Sequence, residues 1–444
     1  MSSHRPTLRN RLLPLALALG ACMSMTAQAQ SLLELYNAAR SYDASFQSAK
    51  SQFDATSARA DQAQSLLLPT VGLQANANRT SQEVSPVPER AFGSQTISIG
   101  ATQPLYRPAS VASYKQGKTQ LPLAQAQLLA AEQDLIVRVS QAYFDVLAST
   151  DSLTFVKSQK TAVAEQLASA KRNFEVGTST ITGQRDAQAR YDLVVAQELS
   201  AESDLLIKTI ALNQLVGKTN ASPKPIKAPV QLMAVEPANI DHWVTQAEDK
   251  HPGIKQFDVA LEVAKLETEK AYAGHKPTVD LTGSYATINN EGVNGVGINN
   301  RINQAAIGIN VTVPLFAGFA VQNRVKETLS LEDKARTDLE ATKRTVAQGT
   351  RTAFYGVQSG LALVKALEAA EISTQSALDS NKLGYQVGVN INIDVLNSQS
   401  QLFDTKAKLA KARYDVLVGG LKLRQASGVL SEADLQVVNS QLAP

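Results

Sequence analysis

The sequence predicts a mixed α/β membrane protein in which four amphipathic strands per chain belong to a β-barrel and the rest is long helix. Three observations predict it. One helix–strand–helix pattern occurs twice at an offset near 210 residues, four segments alternate strictly between polar and apolar, and long heptad-patterned stretches run without a breaker.

Residues 1–29 read as an export signal: Arg5, Arg9 and Arg11, then the apolar run Leu12 to Ala21, then Ala27-Gln28-Ala29. That run is far shorter than the roughly 20 residues a helical membrane span needs, and no longer one follows. Leu19-Gly20-Ala21-Cys22 also resembles a lipoprotein cleavage box, which leaves open lipidation of Cys22, the only cysteine. The chain has 43 basic and 40 acidic residues, but three of the arginines and none of the acids sit in the signal. The mature chain is therefore neutral, and the apparent basicity says nothing about nucleic acid, whose binding needs a clustered positive face. With Cys22 in the signal region, disulfides and multi-cysteine metal sites are excluded.

The two copies are anchored by matching residues. Leu68-Pro69-Thr70-Val71 returns as Lys276-Pro277-Thr278-Val279, Pro104-Leu105-Tyr106 as Pro314-Leu315-Phe316, and Ala142-Tyr143-Phe144 as Ala353-Phe354-Tyr355. Phe174-Glu175-Val176-Gly177 returns as Tyr385-Gln386-Val387-Gly388. Expected boundaries are repeat 1 at 30–217, a linker rich in Pro, Lys and Val at 218–241, repeat 2 at 242–430 and a tail at 431–444.

Strands are expected at about 68–79, 95–105, 277–287 and 304–314. Val71, Leu73, Ala75 and Ala77 alternate with Thr70, Gly72, Gln74 and Asn76, and Ile307, Ile309, Val311 and Val313 with Gly308, Asn310 and Thr312. A half-buried soluble sheet shows the same alternation. A transmembrane strand needs it, with lipid on one side and water on the other. The polar segments Thr80 to Ser94 and Thr287 to Asn303 read as extracellular loops.

The helices carry a heptad of Leu121, Leu128, Leu135 and Ala142, echoed by Leu339, Val346 and Ala353. Ala109 to Val176 would span roughly 100 Å as one helix, with Pro122 expected to bend it. Four strands cannot close a barrel, and open edges are not tolerated in lipid. Other copies must supply the rest; two would give a lumen filled by side chains, so geometry favours three or more.

At this point the chain resembles the TolC family of trimeric outer-membrane exit ducts. The residues that carry the resemblance are Leu33-Glu34-Leu35-Tyr36 with Ala38-Ala39-Arg40, Gly274-His275-Lys276-Pro277-Thr278-Val279, and Pro314-Leu315-Phe316-Ala317-Gly318. The resemblance runs from about Leu32 to Asn439. It implies a trimeric twelve-stranded barrel continuous with a twelve-helix periplasmic tunnel, in the outer membrane and reaching into the periplasm.

It also implies an exit duct for type I secretion and multidrug efflux, recruited by a periplasmic adaptor and an inner-membrane pump of ABC, RND or MFS type. The implied partners are thus two further copies of the chain, those proteins and outer-membrane lipid, with no cofactor. An alternative is an anchored surface protein with adhesive loops.

The breaks Val176-Gly177-Thr178 and Val387-Gly388-Val389 interrupt the long helices with Gly, which turns tightly at positive φ. By resemblance they are the adaptor-docking tips. Asp394 would repeat as three carboxylates around a narrow opening that binds cations; the other reading is a solvated helix-start Asp. Family members often place a second acid where this chain has Asn397. Of the family's gate-bond residues Thr182 and Tyr385 match, whereas Gly183 and Asn390 replace an Asp and an Arg. A closed state with fewer charged contacts is expected, with Arg185 and Asp186 the nearby charges that could compensate.

No catalytic set emerges. His242, His251 and His275 lack metal-ligand spacing, and Gly295-Val296-Gly297 lies in an Asn-rich loop rather than between a strand and a helix. The chain reads as a non-enzyme.

Overall fold

The computed structural model describes residues 29–443 apart from 179, 228, 231, 233 and 294–297. The export signal up to residue 28, Cys22 and Gly295-Val296-Gly297 lie outside the described residues. In chain order the elements are α1 (Leu32–Tyr42), α2 (Ala44–Gln62), β1 (Thr70–Val84), β2 (Val87–Tyr106), α3 (Pro108–Glu175) and α4 (Ile181–Val216). The second set is α5 (Ile240–Lys250), α6 (Pro252–Ala273), β3 (Thr278–Val293), β4 (Ile298–Thr312), α7 (Ala320–Gln386) and α8 (Asn392–Ala426), and α9 (Glu432–Asn439) follows. Each repeat thus builds the same series.

Two compact units result. One comprises 48–131 and 248–348 and holds the sheet; the other comprises the segments up to 47, 132–247 and 349–444. Among the described residues no helix is long and apolar enough to cross a membrane.

In the sheet unit the four strands form an antiparallel meander in the order β1-β2-β3-β4. Between the bulges near the strand ends, the registers carry one parity across all of them. Leu73 faces Ile99, which faces Tyr285, while Gln74 faces Ser98, Ala286 and then Gln304 across the sheet. Directly opposed residues share a face, so the apolar rows stack with one another and the polar rows do likewise. Val71, Leu73, Ile307 and Ile309 are more than half exposed, an oily face without protein cover.

The strands run beyond their expected ends. Thr80 to Ser94 and, among the described residues, Thr287 to Asn303 continue the ladders instead of forming loose loops, with a turn at 85–86 in the first hairpin and Val293 paired with Ile298 in the second. The apolar alternation stops where hydrocarbon would stop, but a ladder needs only backbone pairing. Polar cross-strand pairs line the extension: Ser94 with Asn290 (3.0 Å), Thr287 with Asn303 (3.0 Å) and Asn290 with Asn300 (3.0 Å).

At the helical end of the sheet, Arg107 donates twice to Asp280, at 2.7 and 2.6 Å. This fork joins the end of β2 to the start of β3, and hence repeat 1 to repeat 2.

Helix α3 runs through Pro122, in the part of it that belongs to the sheet unit, without ending. Heptad positions Leu135, Val139 and Val146 are buried, and a core of Trp243, Phe354, Val357, Leu409, Val416 and Leu423 sits on repeat 2. The linker and tail meet: Ile226 bridges Leu442, Pro223 bridges Gln30, and Tyr143 Oη donates to the Lys224 carbonyl (2.9 Å). The tail is not wholly irregular, because α9 forms within it, its Asp434 accepting from the Ser431 backbone N–H (2.9 Å).

Candidate functional site: the two helical tips

Both long hairpins turn through the same backbone device. Gly177 N–H donates to Phe174 O (3.0 Å) and Thr178 N–H to Asn173 O (2.8 Å); Gly388 N–H donates to Tyr385 O (3.2 Å) and Val389 N–H to Gly384 O (2.8 Å). This is the Schellman pairing, which satisfies the last carbonyls of a helix and demands a left-handed residue. Gly177 and Gly388 each supply it, at φ +80°.

Beyond each turn the next helix starts with its own cap. Thr180 Oγ1 accepts from Gly183 N–H (3.4 Å) and contacts Thr182 Oγ1 (2.7 Å). The half-buried Asp394 accepts from Ile391 N–H (3.2 Å), which is the helix-start role weighed against a ring. Apolar side chains remain uncovered at both turns, Val176 at 72% exposure and Val389 at 79%, with Val387 similar.

Between the hairpins the contacts are mostly neutral. Asn173 Nδ2 donates to Tyr385 Oη (3.1 Å), Asn392 Nδ2 reaches Gly183 O (3.5 Å), and Gln166 pairs with Asn392. Tyr385 and Gly183 thus take part in the join, through Asn partners, while Thr182 stays at its own cap. Asn390 folds back over Gly384, where a Cβ would meet its Nδ2 at 2.6 Å, and donates to Asn381 Oδ1 (2.7 Å).

Asn397 is exposed and accepts from Arg190 Nη2 (2.7 Å). Arg190 is therefore a cationic contact between repeats at the position where an acid was expected. Sequence reasoning singled out Arg185 and Asp186 instead; both are exposed and form no ion pair among the described residues. Nothing in the local pattern marks Arg190, whose partner lies 207 residues away.

The histidine positions offer no reactive arrangement. His251 caps α6 by accepting from Gly253 N–H at Nδ1 (3.0 Å), and burial lowers its pKa, which favours the neutral acceptor form. No group of three or more His, Cys, Asp or Glu suited to a metal occurs among the described residues.

Comparison with known proteins places this geometry in context. The family described as outer membrane efflux protein matches residues 35–218 and 243–429, one match per repeat. The chain is 33% identical to outer membrane protein TolC of Vibrio cholerae, covering 97% of this chain and 98% of that protein. It is 28% identical to the alkaline protease secretion protein AprF of Pseudomonas aeruginosa, covering 92% and 86%. Among solved structures it is similar in fold to CusC, with a TM-score of 0.79 over 90% of this chain and 92% of that one at 15% identity. It is likewise similar to the outer membrane protein VceC of Vibrio cholerae, with a TM-score of 0.76 over 89% and 96% at 18% identity.

The fold class is that of the trimeric outer-membrane channels, with a four-stranded antiparallel sheet and long helices in each chain. The adhesive alternative finds no support among these relatives. The chain belongs to the outer membrane efflux protein family and is an outer-membrane exit duct for secretion and efflux.

Proposed function

We propose that the two tips are the docking points for a periplasmic adaptor, and that an inner-membrane pump of ABC, RND or MFS type supplies the energy. The supporting observation is that the long helical hairpin of each repeat turns through the same Schellman pairing, with uncovered valines at its crest. Exposed apolar groups held on a rigid turn are costly unless a partner covers them. In this reading the chain is the passive conduit and the pump provides the energy.

In this reading three copies bring Asp394 into a ring at the narrow end, and the neutral contacts of Asn173, Tyr385, Gly183 and Asn392 hold that end together. The Vibrio cholerae TolC and the protease secretion protein AprF are its relatives, and a relative from Pseudomonas putida is named as a solvent efflux pump outer membrane protein. Both protein and small-molecule cargo are therefore proposed.

Two measurements test it. A photo-crosslinking residue at Val176 or Val389 links to one periplasmic protein in intact cells; linkage to none, or equal linkage from a site midway along α3, refutes docking at the tips. In planar bilayers, Asp394→Ala weakens block by a trivalent cation by roughly tenfold or more, as loss of three carboxylates from a ring implies. Unchanged block removes Asp394 from the constriction.

A further inference from the structure

The sheet carries, inside one chain, a template for the contact between chains. β1 and β3 match at an offset of 208 residues, Thr70 on Thr278, and β2 and β4 at 210, Thr102 on Thr312. The two hairpins obey the same rule: Thr70 faces Thr102 in the first, and Thr278 faces Thr312 in the second. β1–β2 and β3–β4 are thus equivalent pairs, and the contact that joins them is β2 with β3.

In that joining contact Gly100 faces Ser284, Thr102 faces Thr282 and Pro104 faces Asp280, followed by a bulge that sets Tyr106 against Val279. β1 and β4 are the outer strands of the sheet, exposed along their described lengths. If copies complete a barrel, β4 of one must meet β1 of the next. Each strand's counterpart has already solved that pairing within the chain.

Resting on the reading that copies close the barrel, we infer that β4 of one copy pairs antiparallel with β1 of the next in the β2–β3 register. Carried over by the two offsets, Gly100 and Ser284 become Asn310 and Asn76 of the next copy, and Thr102 and Thr282 become Thr312 and Gln74. Tyr106 and Val279 become Phe316 and Val71.

Two features outside the template agree with this register. The first is parity. Val313 falls opposite Leu73, Val311 opposite Ala75 and Ile309 opposite Ala77, apolar on apolar, while Asn310 meets Asn76 on the wet face. A slip of one residue would set the oily row of one copy beside the polar row of the other.

The second is the chemistry at the helical end. The Arg107–Asp280 fork maps onto Ala317 and Gly72, which can form no ion pair. The seam between copies is therefore closed by the backbone ladder and by apolar contact. The groups for that contact are uncovered in the single chain: Leu315 at 93% exposure, Phe316 at 72% and Phe319 at 63%, with Val71 and Leu73 also open.

Paired cysteines test the register. Asn76→Cys with Asn310→Cys places two thiols directly opposite on the water-facing side, where an oxidant reaches them. Gln74→Cys with Asn310→Cys displaces one thiol by two residues, to a Cα separation of about 8 Å, beyond the roughly 7 Å that a disulfide spans. Each single-cysteine chain serves as the control for folding and for Cys22.

The expected result is a reducible, cross-linked trimer on denaturing gels, roughly tenfold more abundant for the matched pair than for the displaced pair, as the narrow geometry of the bond requires. If the displaced pair links as well or better while light scattering still finds three copies, the register is wrong and the barrel reading stands. If no variant and no parent chain associates at all, the barrel reading beneath it fails.

Discussion

At Asp43 a single residue joins three pieces of the helical unit. Its backbone N–H closes α1 on Ala39 O (2.7 Å), its carboxylate accepts Phe46 N–H at the start of α2 (2.8 Å), and Arg138 on α3 donates to both oxygens at 3.0 Å. The Arg138 hydrogen bonds hold the Asp43 carboxyl below its ordinary value of 3.8, against the opposing effect of burial. A lowered pKa contributes stability that is fully present above the ordinary value and lost as pH falls through the lowered, folded value. Asp43→Asn is expected to cost on the order of 1–2 kcal/mol at neutral pH, because Asn still caps α2 but loses the charged fork. Thermal unfolding followed by circular dichroism checks this: the deficit of the variant shrinks as pH falls below the ordinary carboxyl value and the native carboxylate takes up its proton. A deficit independent of pH contradicts it. Contacts of this kind were not legible in the sequence. Asp43 with Arg138, Arg107 with Asp280, and Arg190 with Asn397 are each 95 or more residues apart, and one sequence carries no signal for which charge meets which.

At the scale of elements the tips and the strand cores were legible for the same reason. Each leaves a local mark, a Gly after a heptad run in one case and a period of two in the other. The ends of strands leave none, because Thr80 to Ser94 pairs through its backbone with side chains that follow no alternation. The turn device gives a contrast of sign. A Cβ added at Gly388 or at Gly349, midway along α7, meets nothing within 4 Å, yet only Gly388 has a positive φ. Gly388→Ala is expected to destabilise its tip by roughly 1–2 kcal/mol, whereas Gly349→Ala stabilises α7 by up to about 1 kcal/mol. Amide hydrogen exchange reads both: protection falls at Gly384 to Val389 in the first variant and rises around residue 349 in the second. Equal effects would mean that crowding rather than backbone conformation sets the glycine requirement.

The whole molecule follows from a conflict between the oily face of the sheet and its free edges. The face requires hydrocarbon, and hydrocarbon does not tolerate the unpaired N–H and C=O groups of β1 and β4, at several kcal/mol for each. Identical copies resolve the conflict, and four strands from each of three give a barrel with a lumen. This need follows from the alternation once the oily face is set in lipid, since a soluble sheet alternates in the same way; the number three drew on the resemblance. Mass measurement by light scattering of the detergent-extracted protein, corrected for bound detergent, tests it most directly. A folded trimer is the expected result; a monomer that keeps its helical and strand signal would show that the sheet tolerates open edges, and would contradict the account at its base.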